Sequence, residues 1–223
     1  MAAIAAAERQ FLATGYESVT MDSIAKESGV AKQTLYSYFG SKRELFLALV
    51  TAKTKATAQS VLSPSPRIVD AGSARSLLRD LLVAQLSAVM ASDVLALRRL
   101  VIGEMTRSPE LAQALYEHGP RHAVKSLAEV IAEMNELGVL QVKDVDQAAT
   151  QLNWLVMGEP VNRAMLIGDR GIPTSREIEV HVDAAVEMFF NAFGRAPEPR
   201  DTGRSRRKLA AAGDTSGSGR AGS

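Results

Sequence analysis

The segment 32–38 (KQTLYSY) carries a lysine, an amide, two aliphatic hydroxyls and two phenols within about two helical turns. If Leu35 and Phe39, four residues apart, form the buried stripe of a helix, then Gln33, Thr34 and Ser37 fall on its opposite side. A Gln side chain can bind N6 and N7 of adenine, and a Thr methyl can contact a thymine methyl. Because Lys and Tyr side chains commonly hold phosphates, this spacing predicts a helix that reads duplex DNA. The predicted phosphate contacts from this helix are Lys32, Tyr36 and Tyr38.

The residues around this segment predict the elements that position it. Apolar spacing indicates a first helix that ends at Gly15, and Thr20 is placed to cap a second helix over 21–28. Gly29 then makes a tight turn into the 32–39 helix, which gives a helix-turn-helix that presents a helix end to the major groove. Ser41 begins a fourth helix. Lys42 lies in its first turn, where free backbone amides also favour a phosphate.

These spacings together resemble the TetR family of transcriptional regulators. The resemblance implies operator contacts from Thr20, Lys32, Gln33, Thr34, Tyr36, Tyr38 and Lys42. Two departures stand out. Ala31 occupies the cap position where the family usually has Ser or Thr, which weakens the start of the recognition helix by about 1 kcal/mol, and the basic arm that usually precedes the first helix is missing. These departures are the only support for an alternative, a helical interaction module that has lost DNA binding. The matching string is Phe11-(x)3-Gly15-Tyr16-(x)3-Thr20, Ile24-Ala25, Gly29-Val30, Thr34-Leu35-Tyr36, Tyr38-Phe39, Ser41-Lys42 and Leu45.

Composition favours an all-α fold. Hydrophobic residues make up 46% of the 223 residues, aromatic residues only 5%, and no run alternates with a period of two. We expect three segments: a helix-turn-helix DNA-binding domain over 1–46, a helical ligand-binding and dimerisation domain over 47–194, and a disordered basic tail over 195–223. The net charge is +2 over residues 1–60, −5 over 61–194 and +4 over 195–223, so a basic surface is expected only at the ends.

Several classes of chemistry find no support in the sequence. The absence of cysteine excludes disulfides, thiolate metal sites and cysteine nucleophiles. His118 and His122 have the spacing of metal ligands on a helix, but Gly119-Pro120 is expected to break that helix, so no metal or other cofactor is predicted. The GxGxxG pattern over 217–222 follows no strand. We therefore expect no enzyme. Because the start of the chain is a poor signal peptide and the 81–91 stretch is too short to span a bilayer, we expect a cytoplasmic protein without a membrane partner.

The 47–194 region is predicted to bind a small apolar ligand and to form a homodimer. Trp and Met side chains favour an adaptable apolar pocket, and a few polar groups can orient a ligand, although each of these residues alone is more often a core residue. The last two helices carry more apolar residues than one neighbour requires, as in the dimer interface of TetR-like proteins. The alternative is that they are buried inside their own subunit. The candidate ligand residues are Arg98, Glu104, Met105, His118, His122, Trp154, Met157 and Glu159. The candidate interface residues are Leu152, Leu155, Val182, Ala185, Val186, Phe189 and Phe193.

Together these features predict a TetR-like, ligand-released repressor. Two recognition helices one DNA turn apart would select a palindromic operator, and a ligand would favour a spacing that misfits DNA.

Overall fold

The structure is a computed structural model that describes residues 2–61 and 68–195. These residues form α-helices joined by short loops, with no β-strand among them, so the predicted all-α class is confirmed. The predicted disordered tail, apart from Arg195, and the GxGxxG pattern lie outside the described residues. The helices are α1 (Ala2–Thr14), α2 (Met21–Ser28), α3 (Lys32–Phe39), α4 (Lys42–Val61), α5 (Ala71–Val89), α6 (Ser92–Glu104), α7 (Pro109–Tyr116), α8 (His122–Glu136), α9 (Val145–Ile167) and α10 (Ser175–Phe193).

Several helix starts follow from side-chain caps. The hydroxyl of Thr20 accepts a hydrogen bond from the Ser23 amide, 3.1 Å away, and the Ser23 hydroxyl accepts one from the Thr20 amide. Thr174 and Glu177 form the same reciprocal arrangement at the start of α10. These caps satisfy amides that have no partner within the helix, which fixes where each helix begins.

An N-terminal core holds α1, α2 and α3 together. Phe11, Ile24 and Leu35 are fully buried or nearly so, and the Phe11 ring lies 4.8 Å from that of Phe46. The same core includes Leu97 from α6, together with Val101 and Leu111. Helix α4 continues through residue 46, where the first domain was predicted to end. The helix-turn-helix is therefore packed directly against the bundle.

A second core joins α5, α8, α9 and α10. Helix α10 contributes an apolar face that includes Val182, Val186 and Phe190. Within the described residues, no single helix is long and apolar enough to cross a membrane; α5 and α6 meet that test only as a pair bent by 62°.

The predicted helix break at Gly119-Pro120 is wrong. Residues Glu117–Arg121 form a turn of π-helix that connects α7 to α8 without leaving the helical conformation. Pro120 has no amide hydrogen to donate, and the helix continues past it through this wider turn. The turn also lies close to α4, since a Cβ added at Gly119 would lie 3.2 Å from Cγ2 of Thr54.

Candidate functional site

Helix α3 turns its polar residues outward. Leu35 is 1% exposed and anchors the helix in the N-terminal core, whereas Gln33, Thr34 and Ser37 are exposed to solvent. This orientation follows from helical geometry, because those three positions lie away from Leu35. The two phenols are also exposed, Tyr36 at 42% and Tyr38 at 81%. The predicted reading face is thus a continuous polar surface.

The two lysines predicted to bind phosphate have partners within the chain. The ammonium of Lys32 lies 2.7 Å from a carboxylate oxygen of Asp22. Lys42 donates to the carbonyl oxygen of Tyr16 at 2.9 Å and lies 4.4 Å from the centre of its ring. The Lys32 pair is exposed and therefore weak, so a phosphate can replace Asp22. Lys42, in contrast, also ties the start of α4 to the loop after α1.

Thr20 serves first as the cap of α2, and its hydroxyl oxygen is occupied by the Ser23 amide. Ala31, at the start of α3, makes no side-chain cap, as the sequence indicated. The first turn of the recognition helix therefore relies on the packing of Leu35 and on the backbone bond from the Leu35 amide to the Ala31 carbonyl, 3.0 Å long.

A cavity of about 90 Å³ lies inside the helical bundle. It is mostly apolar, and it is lined by α4, α5, α6, α7, the π turn, α8 and α9. The lining residues are Lys53, Thr54, Thr57, Ala58, Gln85, Val89, Val94, Leu97, Arg98, Leu115, Gly119, Pro120, Ala123, Asn153, Trp154, Met157 and Val161.

Three of the predicted ligand residues, Arg98, Trp154 and Met157, lie on the wall of this cavity. Ligand binding by them stays a prediction. The remaining five lie elsewhere, because hydrophobic periodicity does not show which helix faces meet. Met105 follows the end of α6 and is 52% exposed. Glu104 lines a separate depression beside Tyr16, and burial together with the Glu104 carboxylate raises the pKa of Tyr16. The others outside the cavity are His118, His122 and Glu159.

The cavity also contains polar residues that the sequence reading did not select. Gln85 donates from Nε2 to Oδ1 of Asn153 at 3.1 Å, and both residues are buried. Lys53 lies 2.7 Å from Glu8 of α1 and 2.5 Å from Asp93 of α6. The sequence feature that could have identified Gln85 is its position as a polar residue within the apolar stretch 81–91. Within the described chain, no group of three or more potential metal ligands comes together.

The predicted dimer interface needs correction. Val182 is fully buried, and Leu152, Ala185, Val186 and Phe189 are at most 6% exposed in the single chain. They belong to the subunit's own core, as in the alternative that the sequence left open, and offer a partner little surface. Of the seven candidates, only Leu155 and the half-buried Phe193 reach the surface. The exposed apolar side chains of the last two helices that do not line the cavity are Leu155, Leu166, Ile167, Val180 and Met188, here called the outer face.

An all-helical chain with an exposed polar recognition helix and a separate helical bundle has the architecture of a helix-turn-helix transcriptional regulator. Comparison with known proteins supports this class. The model for bacterial regulatory proteins of the tetR family matches residues 3–49. The model for the C-terminal domain of AefR-like transcriptional repressors matches residues 76–195. The chain belongs to the TetR family, and it is a DNA-binding transcriptional regulator.

Solved structures with the same fold cover nearly the whole chain. A putative TetR-family regulator from Mesorhizobium loti MAFF303099 is 30% identical, with a TM-score of 0.75 over 87% of this chain and 96% of that one. The flavonoid-responsive regulator FrrA is 32% identical, with a TM-score of 0.73 over 88% of this chain and 97% of that one.

A relative matched by sequence covers a shorter stretch. The HTH-type transcriptional regulator YhgD of Bacillus subtilis (strain 168) is 38% identical over 63 residues, which is 27% of this chain and 33% of YhgD.

Proposed function

We propose that the protein is a repressor that binds a palindromic operator as a homodimer and is released by a small, largely apolar ligand. The observation that carries the DNA-reading part is the outward set Gln33, Thr34 and Ser37 above the buried Leu35. The match of residues 76–195 to the C-terminal domain of AefR-like repressors supports repression of transcription over activation. Since a repressor acts where the chromosome lies, we propose a cytoplasmic location.

A dimer is required because one short helix makes few base contacts. Two recognition helices about one DNA turn apart would double those contacts and select a palindrome. The outer face supplies the surface for the second copy: Leu166, Val180 and Met188 are 77%, 53% and 59% exposed in the single chain. Covering such side chains is a common role of symmetric interfaces.

Release by a ligand is supported by the place and size of the cavity. Its volume of about 90 Å³ is below the roughly 150 Å³ of an engineered cavity that holds benzene. A ligand of the size of benzene or larger would therefore fit only if the residues around the cavity moved apart. Such a ligand would bind this widened conformation more tightly than the one described here. The printed name of FrrA, a flavonoid-responsive regulator, also supports response to a small molecule.

Lys53 connects this cavity to the DNA-reading unit. Its side chain lines the cavity, while its ammonium bridges Glu8 of α1 and Asp93 of α6. Because α1 packs against the remaining helices of the reader, displacement of α4 or α6 would change the position of α3. This gives the ligand a physical route to the spacing of the two recognition helices.

The DNA-reading proposal can be tested with Gln33→Ala. A palindrome is first selected from a random duplex library, and affinity for it and for a scrambled duplex is then measured by fluorescence anisotropy. Loss of the paired amide contact should reduce discrimination between the two duplexes by about 1–3 kcal/mol. Gln147→Ala is the matched control, because Gln147 is an exposed glutamine on α9, far along the chain from the reader. Unchanged discrimination in Gln33→Ala would remove Gln33 from base reading.

The alternative of an interaction module without DNA binding predicts a different result. In that case no duplex would be enriched from the library, and any residual binding at low salt would not favour one sequence.

A further inference from the structure

The charged residues that line the cavity are all positive. Two of its residues, Arg98 and Lys53, are cationic, and none of the lining residues is acidic. The neutral amides of Gln85 and Asn153 are bonded to each other. An entering molecule therefore meets an apolar wall that carries positive charge.

Of the two cationic residues that line the cavity, Arg98 is the one without an anionic partner in the described chain. Its Nε atom is buried without a hydrogen-bond partner. Burial away from water lowers the pKa of this guanidinium, and no nearby carboxylate acts against that effect. The next residue, Arg99, provides the contrast, because it lies 3.0 Å from Asp169 and donates to the carbonyl oxygen of Ala164.

A half-buried guanidinium whose Nε has no partner is unfavourable, and a carboxylate can compensate for it with two parallel hydrogen bonds. Lys53 is already neutralised by Glu8 and Asp93. A carboxylate that enters the cavity would therefore bind at Arg98 and not at Lys53. The surrounding apolar residues, including Val89, Trp154 and Met157, fit the hydrocarbon part of the same molecule.

We propose that the effector is an amphipathic organic monoanion, whose carboxylate binds Arg98 and whose apolar body lies along Val89, Trp154 and Met157. This assignment deepens the ligand part of the proposed function and rests on the cavity being the effector site. It also specifies a negatively charged class of ligand, which a neutral and fully apolar cavity would not favour.

The test uses three probes of equal chain length: octanoate, octan-1-ol and octylammonium. The chain has a single tryptophan, Trp154, which lines the cavity, so its fluorescence reports binding directly, and calorimetry gives the stoichiometry. We expect octanoate to bind at least about tenfold more tightly than octan-1-ol, because it alone brings a negative charge to Arg98 and can accept two parallel hydrogen bonds from it. Octylammonium should bind most weakly.

The variants assign this preference to one side chain. Arg98→Met should remove the preference for octanoate and leave octan-1-ol binding nearly unchanged, while Arg98→Lys should retain part of it. Arg99→Met is the matched control and should behave like the unchanged chain. Since Arg98→Met removes an unpaired buried charge, its melting temperature without ligand should not fall, which separates lost binding from lost folding.

Equal affinities for octanoate and octan-1-ol, a preference that survives in Arg98→Met, or no binding by any of the three probes would overturn the assignment. Operator release is measured separately by anisotropy. Arg98-dependent binding of octanoate without release would support the preference of the cavity for a monoanion and contradict its role as the effector site. Release by octan-1-ol alone would support ligand release and contradict the assignment.

Discussion

The uncapped start of the recognition helix gives a sharp prediction. Ala31 precedes α3 with φ −57° and ψ 136°, and no side chain caps the helix. Thr174 caps α10 from a similar backbone conformation, φ −66° and ψ 160°, by accepting from the amide three residues on. Ala31→Ser should therefore form the equivalent bond with the Thr34 amide, without backbone rearrangement.

The expected gain is about 1 kcal/mol, the usual effect of replacing Ala by Ser at this position. Local opening of the first turn of α3 should become rarer, so that hydrogen exchange at the Thr34 and Leu35 amides slows by about fivefold. The melting temperature should rise by about 2–4 °C. Because Leu35 already holds α3 in the core, operator affinity should change by less than about twofold.

Ala91 offers a matched control. It precedes α6 with φ −59° and ψ 131°, and it also makes no side-chain cap. Ala91→Ser should leave exchange in α3 unchanged, and it should stabilise the chain less than Ala31→Ser, because the Val94 amide that it would cap already donates to the Asp93 carboxylate at 2.9 Å. The reasoning is refuted if exchange at Thr34 does not slow in Ala31→Ser, or if it slows equally in Ala91→Ser.

Three further predictions concern stability and assembly. The hydrogen bond from Lys53 lowers the pKa of Asp93 below its ordinary value of 3.8, so the stability that it contributes is present above pH 3.8 and is lost as the pH falls through the lower pKa of the folded state. In Asp93→Asn the free energy of unfolding in urea should therefore decrease less as the pH is lowered. An unchanged decrease would contradict this. Met188→Asp should shift sedimentation from dimer to monomer, whereas Met105→Asp, also at an exposed methionine, should not. A Cβ at Gly171 would lie 2.8 Å from a backbone carbonyl oxygen of α9, so Gly171→Ala should destabilise the chain by about 1–3 kcal/mol in the same unfolding assay, and wild-type stability would show that α9 can yield.

The DNA-reading unit could be predicted from the sequence because its signals are local. The cap at Thr20, the turn at Gly29 and the spacing of Leu35 lie within a few residues of the structure that they determine. Helical rotation alone then distinguishes the outward residues from the buried ones. For this reason Gln33 and Thr34 are exposed as predicted.

The bundle was harder because apolar periodicity indicates burial but does not identify the covering partner. Val182 and Phe189 are covered by the chain's own core in the single chain, so the apolar pattern of α10 indicated burial and did not identify the surface that a partner would cover. Glu104 at the end of α6 and Met105 just beyond it follow Arg98 by six and seven residues, yet of these three only Arg98 reaches the cavity. Which helices meet at a cavity depends on contacts distant in sequence.

The most direct test of the central proposal is the dependence of operator affinity on the spacing of its two halves. The palindrome selected by the full chain is compared with a version in which five base pairs are inserted at its centre, which turns one half-site to the opposite side of the duplex. Two linked recognition helices predict a loss of affinity of at least about tenfold, to the level of a single half-site. Equal affinity for the two duplexes, or selection of a site without symmetry, would contradict paired reading of DNA.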